Sequence, residues 1–331
     1  MATPSSAMAS SSHRTPPGHD RAGQGQLSRE DYTVGWICAL PIELAASRAM
    51  FDHPHEPVPI DPRDTNSYQF GCIGHHNVVM VCLGEYGTNS AAHVATHMSR
   101  SFPSLAVRLM VGIAGGAPKA GYDLRLGDVV VGQRVMQYDQ GKVLAGGQFD
   151  PNDVQQTVYR DLSSAISTMK AIHESRSTYI PEIINATLEA NPAMSRYGFP
   201  TGLPDRLFNP DYDHDKRHMS CDECSSGMLV RRSRRSSQQP EIFYGAIASG
   251  NSIIRDSVTR DRLSHELDTV CFEMESAGFI GHFPCLVLRG ICDYADSHKS
   301  KEWQRYAAAT AAAYAKELLT SAIAPRKALG K

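Results

Sequence analysis

No apolar run in this chain approaches the ~18 residues that a helix needs to cross a bilayer, which excludes a helical membrane protein. Charge of one sign is also missing. Lys and Arg number 33 against 35 Asp and Glu, a formal net charge of -2, so no overall pull toward nucleic acid or a membrane surface is expected. Residues 1–30 lack an apolar h-region and are rich in Ser, Pro and Gly, which excludes a secretory signal and predicts a disordered tail. The eight cysteines are scattered, and Cys38, Cys72, Cys82, Cys271, Cys285 and Cys292 lie in apolar contexts. With no secretory signal they read as reduced, mostly buried thiols of a cytosolic or nuclear protein, and the cytoplasm is the expected location. What is present, 331 residues at 41% hydrophobic and 21% charged, suffices for one large α/β domain over 31–325.

Apolar runs and turn signals divide that domain. Tyr32–Leu40 is a near-continuous apolar run suited to a first strand buried on both faces. Pro41 then opens a helix over Ile42–Phe51. Val78–Leu83, Val107–Gly112, Leu126–Gly132, Ile242–Ser249 and Pro284–Arg289 are further buried-type strands. Helices are expected at Thr88–Ser101, Val154–Glu174, Pro181–Ala190, Asp256–Glu266 and Lys301–Ile323, the last rich in alanine. This alternation predicts a mostly parallel sheet covered by helices. One break interrupts it: 211–240 is a polar, arginine-rich insertion with few apolar positions.

The most informative stretch is VCFEMESAGFIGHFPCLVLRGICDYAD, Val270–Asp296. Two carboxylates, Glu273 and Glu275, stand at the start of an apparent helix, and a buried-type strand delivers Asp293 and Asp296 just past its end. Acidic groups at the carboxyl end of a strand in an α/β protein sit where the ligand crevice opens. Two glycine-rich stretches accompany it. GIAGG, Gly112–Gly116, reads as a turn after a strand whose N–H groups can cradle an anion or hydroxyl, with close packing as the plainer reading. GAIASGNSIIRD, Gly245–Asp256, is by itself a Ser/Gly/Asn turn after a strand.

Together these motifs, in order from Tyr32 to about Ile323, resemble the nucleoside phosphorylase and nucleosidase superfamily. LRGICDYADSHKSKEWQRYAAATAAAYAKELL is particularly similar to the phosphorylase-like domain of fungal multidomain receptor-type proteins. The resemblance implies a single α/β domain with a central mixed, partly barrel-like sheet flanked by helices. It implies cleavage of a purine ribose N-glycosidic bond, with Asp293 as the general acid toward purine N7 and Glu275 accepting the ribose hydroxyls over Met274. It places Ile253 on the base face and the backbone of Ile254 at the base edge, with Asn251 in the same loop and Gly115 in the glycine-rich segment. No cofactor or active-site metal is implied. The partner is a small purine nucleoside or nucleotide, and the family's habit of completing pockets between subunits implies a homo-oligomer.

The nucleophile separates the branches. Phosphorylases of this superfamily bind phosphate with two arginines and a Ser or Thr, at positions that correspond here to Glu43, Met110 and Ile113. A carboxylate and two apolar side chains cannot hold a phosphate dianion. In the nucleosidase branch the glutamate at the position of Glu43 hydrogen-bonds the attacking water, so the expected reaction is hydrolysis; Arg48 and Arg108 are the cations whose approach would reverse this. The alternatives are a phosphate-dependent phosphorylase and a non-catalytic nucleotide-sensing module.

Within the insertion, His214, His218, Cys221 and Cys224 form H-x3-H-x2-C-x2-C, acceptable zinc ligands at tight spacing, with reduced surface thiols as the alternative. His93 and His97, four apart, lack the glutamate of a zinc-protease helix and read as surface or packed histidines. The run Arg231, Arg232, Arg234 and Arg235 is either a solvated loop or a clamp on 5′ phosphates. The second reading favours an adenine nucleotide such as ATP, because some members of the superfamily in bacterial and fungal defence proteins hydrolyse such nucleotides. His298, Lys299 and Lys301 would assist.

Overall fold

The computed structural model describes residues 27–119, 121–145, 149–151, 155–157 and 162–325. The tail expected at 1–30 lies outside them except for its last four residues, which lead into a short 3-10 turn at Arg29–Asp31.

The strands are β1 Val34–Cys38, β2 His53–Pro54, β3 Tyr68–Ile73, β4 His76–Cys82, β5 Val107–Gly116 and β6 Val129–Gln137. They continue with β7 Gly141–Val143, β8 Phe149–Pro151, β9 Gln155–Thr157, β10 Ile242–Ser249, β11 Thr269–Glu273 and β12 Leu286–Asp293. The helices are α1 Pro41–Arg48, α2 Thr88–Ser101, α3 Ser163–Ser175, α4 Ile180–Ala190, α5 Ser257–Glu266 and α6 Gln304–Ser321. Ten strands form one mixed sheet in the order β11-β10-β6-β12-β5-β1-β4-β3-β2, with β9 on β6. An antiparallel pairing of β11 with β5 joins the first of these strands back to the fifth, so β5, β12, β6, β10 and β11 close into a ring. The expected single α/β domain with a partly barrel-like sheet is what forms.

β1 and β12 are buried at every position, as strands covered on both faces must be. α6 is buried along most of its length, and its alanines let it lie close to β12. At Gly290 an added Cβ would collide with the Ala307 carbonyl, so both small residues serve that contact. His93 and His97 lie side by side on α2, their rings tilted by 58° with centroids 4.5 Å apart.

Three expectations need correction. GIAGG is not a turn but the end of β5, which runs through Gly116. Glu273 does not open a helix; it ends β11, and Glu275 precedes a single 3-10 turn, Ser276–Phe279. The helix expected over Val154–Glu174 begins only at Ser163, and Gln155–Thr157 pairs with β6 instead.

Candidate active site

β12 carries LVLRGICD, an apolar strand with one guanidinium in its middle, and Arg289 is fully buried there. A buried charge needs partners. Arg289 Nη2 bonds Glu273 Oε2 from the end of β11 and lies 3.4 Å from Glu275 Oε2. Across the β5–β12 ladder Arg289 is paired with Gly112, and Asp293 with Gly115. A Cβ at Gly112 would collide with Arg289 Nη1 and stand 2.6 Å from Glu43 Oε1; one at Gly115 would stand 2.8 Å from Asp293 Oδ1. The glycines of GIAGG therefore clear the space that these charged side chains fill.

Glu43 sits in the first turn of α1, opened by Pro41. Its Oε2 accepts from Ala39 N at 2.8 Å and Leu40 N at 2.9 Å, and its Oε1 accepts from Ile113 N at 2.8 Å. Burial raises its proton affinity, against the lowering effect of Arg289 and these three N–H groups. Glu275 is pushed up to about 7, first by burial and then by the Glu273 carboxylate, with Arg289 opposing. Glu273, whose place the sequence left open, is the direct partner of Arg289 and also accepts from Ser276 N. Three carboxylates thus face one guanidinium, and burial beside Glu273 favours the protonated form of Glu275.

Asp293 ends β12 and is buried. Its Oδ1 accepts from Ala295 N at 2.9 Å, Cys292 Sγ donates to Oδ2 at 3.1 Å, and Lys299 Nζ lies 3.1 Å from Oδ2. Ala295 has φ 51°, a left-handed conformation costly for a residue with a Cβ, and the turn it makes brings its N–H onto Asp293. Asp296 turns away: it faces Arg260 of α5 at 3.8 Å and accepts from His298 N.

These groups surround a cavity of about 440 Å³. Glu43, Glu273, Met274 and Glu275 line one part, with Ile113, Gly115, Ile253, Ile254 and Phe272, and Arg255, Lys299 and Lys301 contribute cations. Asp293 itself is not in the lining, whereas its neighbours Cys292, Ala295 and Lys299 are. Asn251 is also outside the lining; its Oδ1 accepts from Thr88 N and Oγ1 at the start of α2. Met110 is buried in the core, Arg108 lies over the Phe283 ring at 5.1 Å, and neither it nor Arg48 lines the cavity.

Arg231 and Arg234, expected on the 5′ side, stand elsewhere. Both are exposed, and Arg234 borders a separate hollow with Asp128, Phe199 and Tyr306. The reason is that their neighbours are anchored: Arg232 bonds Asp205 at 2.9 Å and the Tyr294 hydroxyl at 2.9 Å, while Arg235 grips Asp128 with two bonds of 2.7 Å. Half the run is structural, which neither reading of it anticipated. Arg289 was missed altogether, although a lone charge inside an apolar strand is itself a signal that partners await it.

Among known proteins, the family model of the phosphorylase superfamily matches residues 33–324, and the chain belongs to that superfamily. It is 44% identical over 300 residues to a nucleotide-binding leucine-rich repeat (NLR)-like protein of Hyaloscypha variabilis, covering 88% of this chain and 30% of that protein. It is 27% identical to the 5′-methylthioadenosine/S-adenosylhomocysteine nucleosidase of Mycobacterium tuberculosis, covering 87% of this chain and 95% of that one. It is 25% identical to the ATP nucleosidase Cap17 of Escherichia coli, covering 83% and 48% respectively. The chain therefore spans less than half the length of two of these relatives. The native futalosine hydrolase of Helicobacter pylori has the same fold, with a TM-score of 0.57 at 18% identity, covering 88% of this chain and 99% of that one. No helix among the described residues is long and apolar enough to cross a membrane.

Proposed function

We propose that the domain is a purine N-ribosyl hydrolase, directed to adenine and acting on nucleosides or nucleotides, ATP among them. The observation that carries this reading is the setting of Glu43. Its carboxylate is clamped by Ala39, Leu40 and Ile113 N–H groups at the position where a phosphorylase needs a cation, and the adjacent guanidinium, Arg289, already faces three carboxylates. Among the described residues the guanidinium beside Glu43 is already taken up by carboxylates, so a phosphate dianion finds no free partner in it; a water has an acceptor. Relatives named as adenosine-derivative and ATP nucleosidases support the base preference.

In this mechanism Glu275 accepts hydrogen bonds from the ribose hydroxyls above Met274, and Ile253 and Ile254 flank the base. Asp293, held by Ala295 N, gives a proton to purine N7, so that the base leaves neutral as the sugar becomes oxocarbenium-like. Glu43 orients the water that adds to the anomeric carbon and takes up its proton. The cations that border the cavity, Arg255, Lys299 and Lys301, suit a charged 5′ substituent, in place of the arginine run of the insertion.

Incubating the protein with adenosine, AMP and ATP, with and without inorganic phosphate, tests this. Free adenine and ribose or ribose phosphate at a rate independent of phosphate is the expected result. Ribose 1-phosphate as the main product would return the site to a phosphorylase, and cleavage of none of the three would remove the hydrolase.

A further inference from the structure

The insertion that carries the arginine run holds a second cluster that the hydrolase reading leaves unused. His214, Cys221 and Cys224 bring their ligand atoms within 4.8 Å of one another. Cys221 opens one 3-10 turn, Cys221–Glu223, and Cys224 caps its end, so the C-x2-C spacing returns both thiols to the same side. Neither cysteine is in a disulfide. Two further histidines adjoin: the His218 ring is 6.1 Å from His214 and the His298 ring 5.5 Å. His218 Nδ1 and His298 Nε2 are buried ring nitrogens with no hydrogen-bond partner among the described residues. A buried polar atom without a partner is costly and asks for one.

We propose that His214, Cys221 and Cys224, with a fourth ligand from His218 or His298, bind a structural zinc ion. Two thiolates with imidazole are the donor set that tetrahedral zinc prefers, and a closed set of four protein ligands suits a structural rather than a catalytic ion. The surroundings give such an ion a task. This part of the insertion contains little that packs: Met219 is 95% exposed, and its ion pairs Arg206–Asp222 and Arg217–Asp215 are exposed ones that hold little. Yet it sits on the turn after β12. His214 N donates to Ser297 Oγ at 2.9 Å, and the His298 ring stacks on Phe208 at 3.9 Å and near-parallel to Tyr212 at 5.5 Å. The zinc fastens the insertion to the turn that carries Lys299 and follows Asp293, and so stiffens one wall of the cavity.

The test is metal content of the intact protein purified without added chelator. One zinc per chain by plasma mass spectrometry is expected, with loss of it in the Cys221→Ser/Cys224→Ser double variant. Replacing the metal by Co²⁺ should give a thiolate-to-cobalt charge-transfer band in the near ultraviolet and the strong visible bands of a tetrahedral ion. Should the double variant fail to fold, the cobalt spectrum of the unaltered protein decides alone. Zinc content no higher than in the double variant, a weak octahedral cobalt spectrum, or a Cys221–Cys224 disulfide in the unreduced peptide map would each overturn the proposal. These readouts do not depend on the hydrolase reading. Chelation is expected to raise the susceptibility of residues 211–230 to proteolysis, whatever the substrate proves to be.

Discussion

Replacing Glu275 by Gln should remove a loss of stability that this fold suffers as the pH rises toward neutrality. Glu275 ionises at about 7 in the folded chain against an ordinary value of 4.5, because it is buried beside Glu273. Between those two pH values the folded chain keeps a proton that the unfolded chain releases. Its stabilising contribution is therefore complete below pH ~4.5 and is lost as the pH rises to about 7; above that both states are ionised and the slope vanishes. The full swing corresponds to something on the order of 3 kcal/mol. Gln keeps the shape and an acceptor for Arg289 but cannot ionise. Denaturant unfolding of both proteins at fixed protein concentration, from pH 5 to pH 8, isolates the effect, since the other titrating groups are shared. The variant should gain roughly 2.5 kcal/mol on the original protein across that range, the rest of the swing lying below pH 5, while losing affinity for ribose. Stability curves that stay parallel would refute the account of a proton held on Glu275 by its burial beside Glu273.

Asp293→Asn should still bind nucleoside but turn over ~10²–10⁴-fold more slowly, since an amide cannot supply the N7 proton; near-unchanged kcat would displace Asp293 from that role. Glu43→Gln keeps the hydrogen-bond reach but loses the base, so steady-state hydrolysis should fall by a comparable ~10²–10⁴-fold with no rescue by phosphate. Arg235→Ala should destabilise the fold by about 3 kcal/mol in denaturant unfolding, because it strands the buried Asp128 carboxylate. Arg231→Ala and Arg234→Ala, exposed and unanchored, should each stay within ~0.5 kcal/mol and leave the KM for ATP unchanged.

Much of the fold was legible because its central strands announce themselves. β1, β5, β10 and β12 are apolar runs ended by turns, and α6 is an alanine-rich stretch of high helix propensity. β3 and β11 were not. YQFGCI carries a glycine and polar residues, and TVCFE ends in a charge, so neither reads as a buried run; tertiary pairing with β4, β10 and β5 makes them strands. The three carboxylates Glu43, Glu275 and Asp293 could be singled out through the family resemblance, whereas what holds them could not. Arg235 meets Asp128 across 107 positions of sequence and Arg232 meets Asp205 across 27, so a run of arginines looks the same whether it is solvated or locked.

The choice of water as nucleophile that we propose follows from the same buried charges. When ionised, Glu43, Glu273 and Glu275 exceed Arg289 by two negative charges, and all four side chains are buried. A phosphate entering beside Ile113 would add its own charge to that excess, with desolvation and repulsion both opposed to it. Water brings no charge and meets, in Glu43, a carboxylate whose proton affinity burial has raised and whose two oxygens are aimed by three backbone N–H groups. A base is most effective when its proton affinity approaches the working pH, and the burial that makes this site hostile to phosphate is what moves Glu43 in that direction.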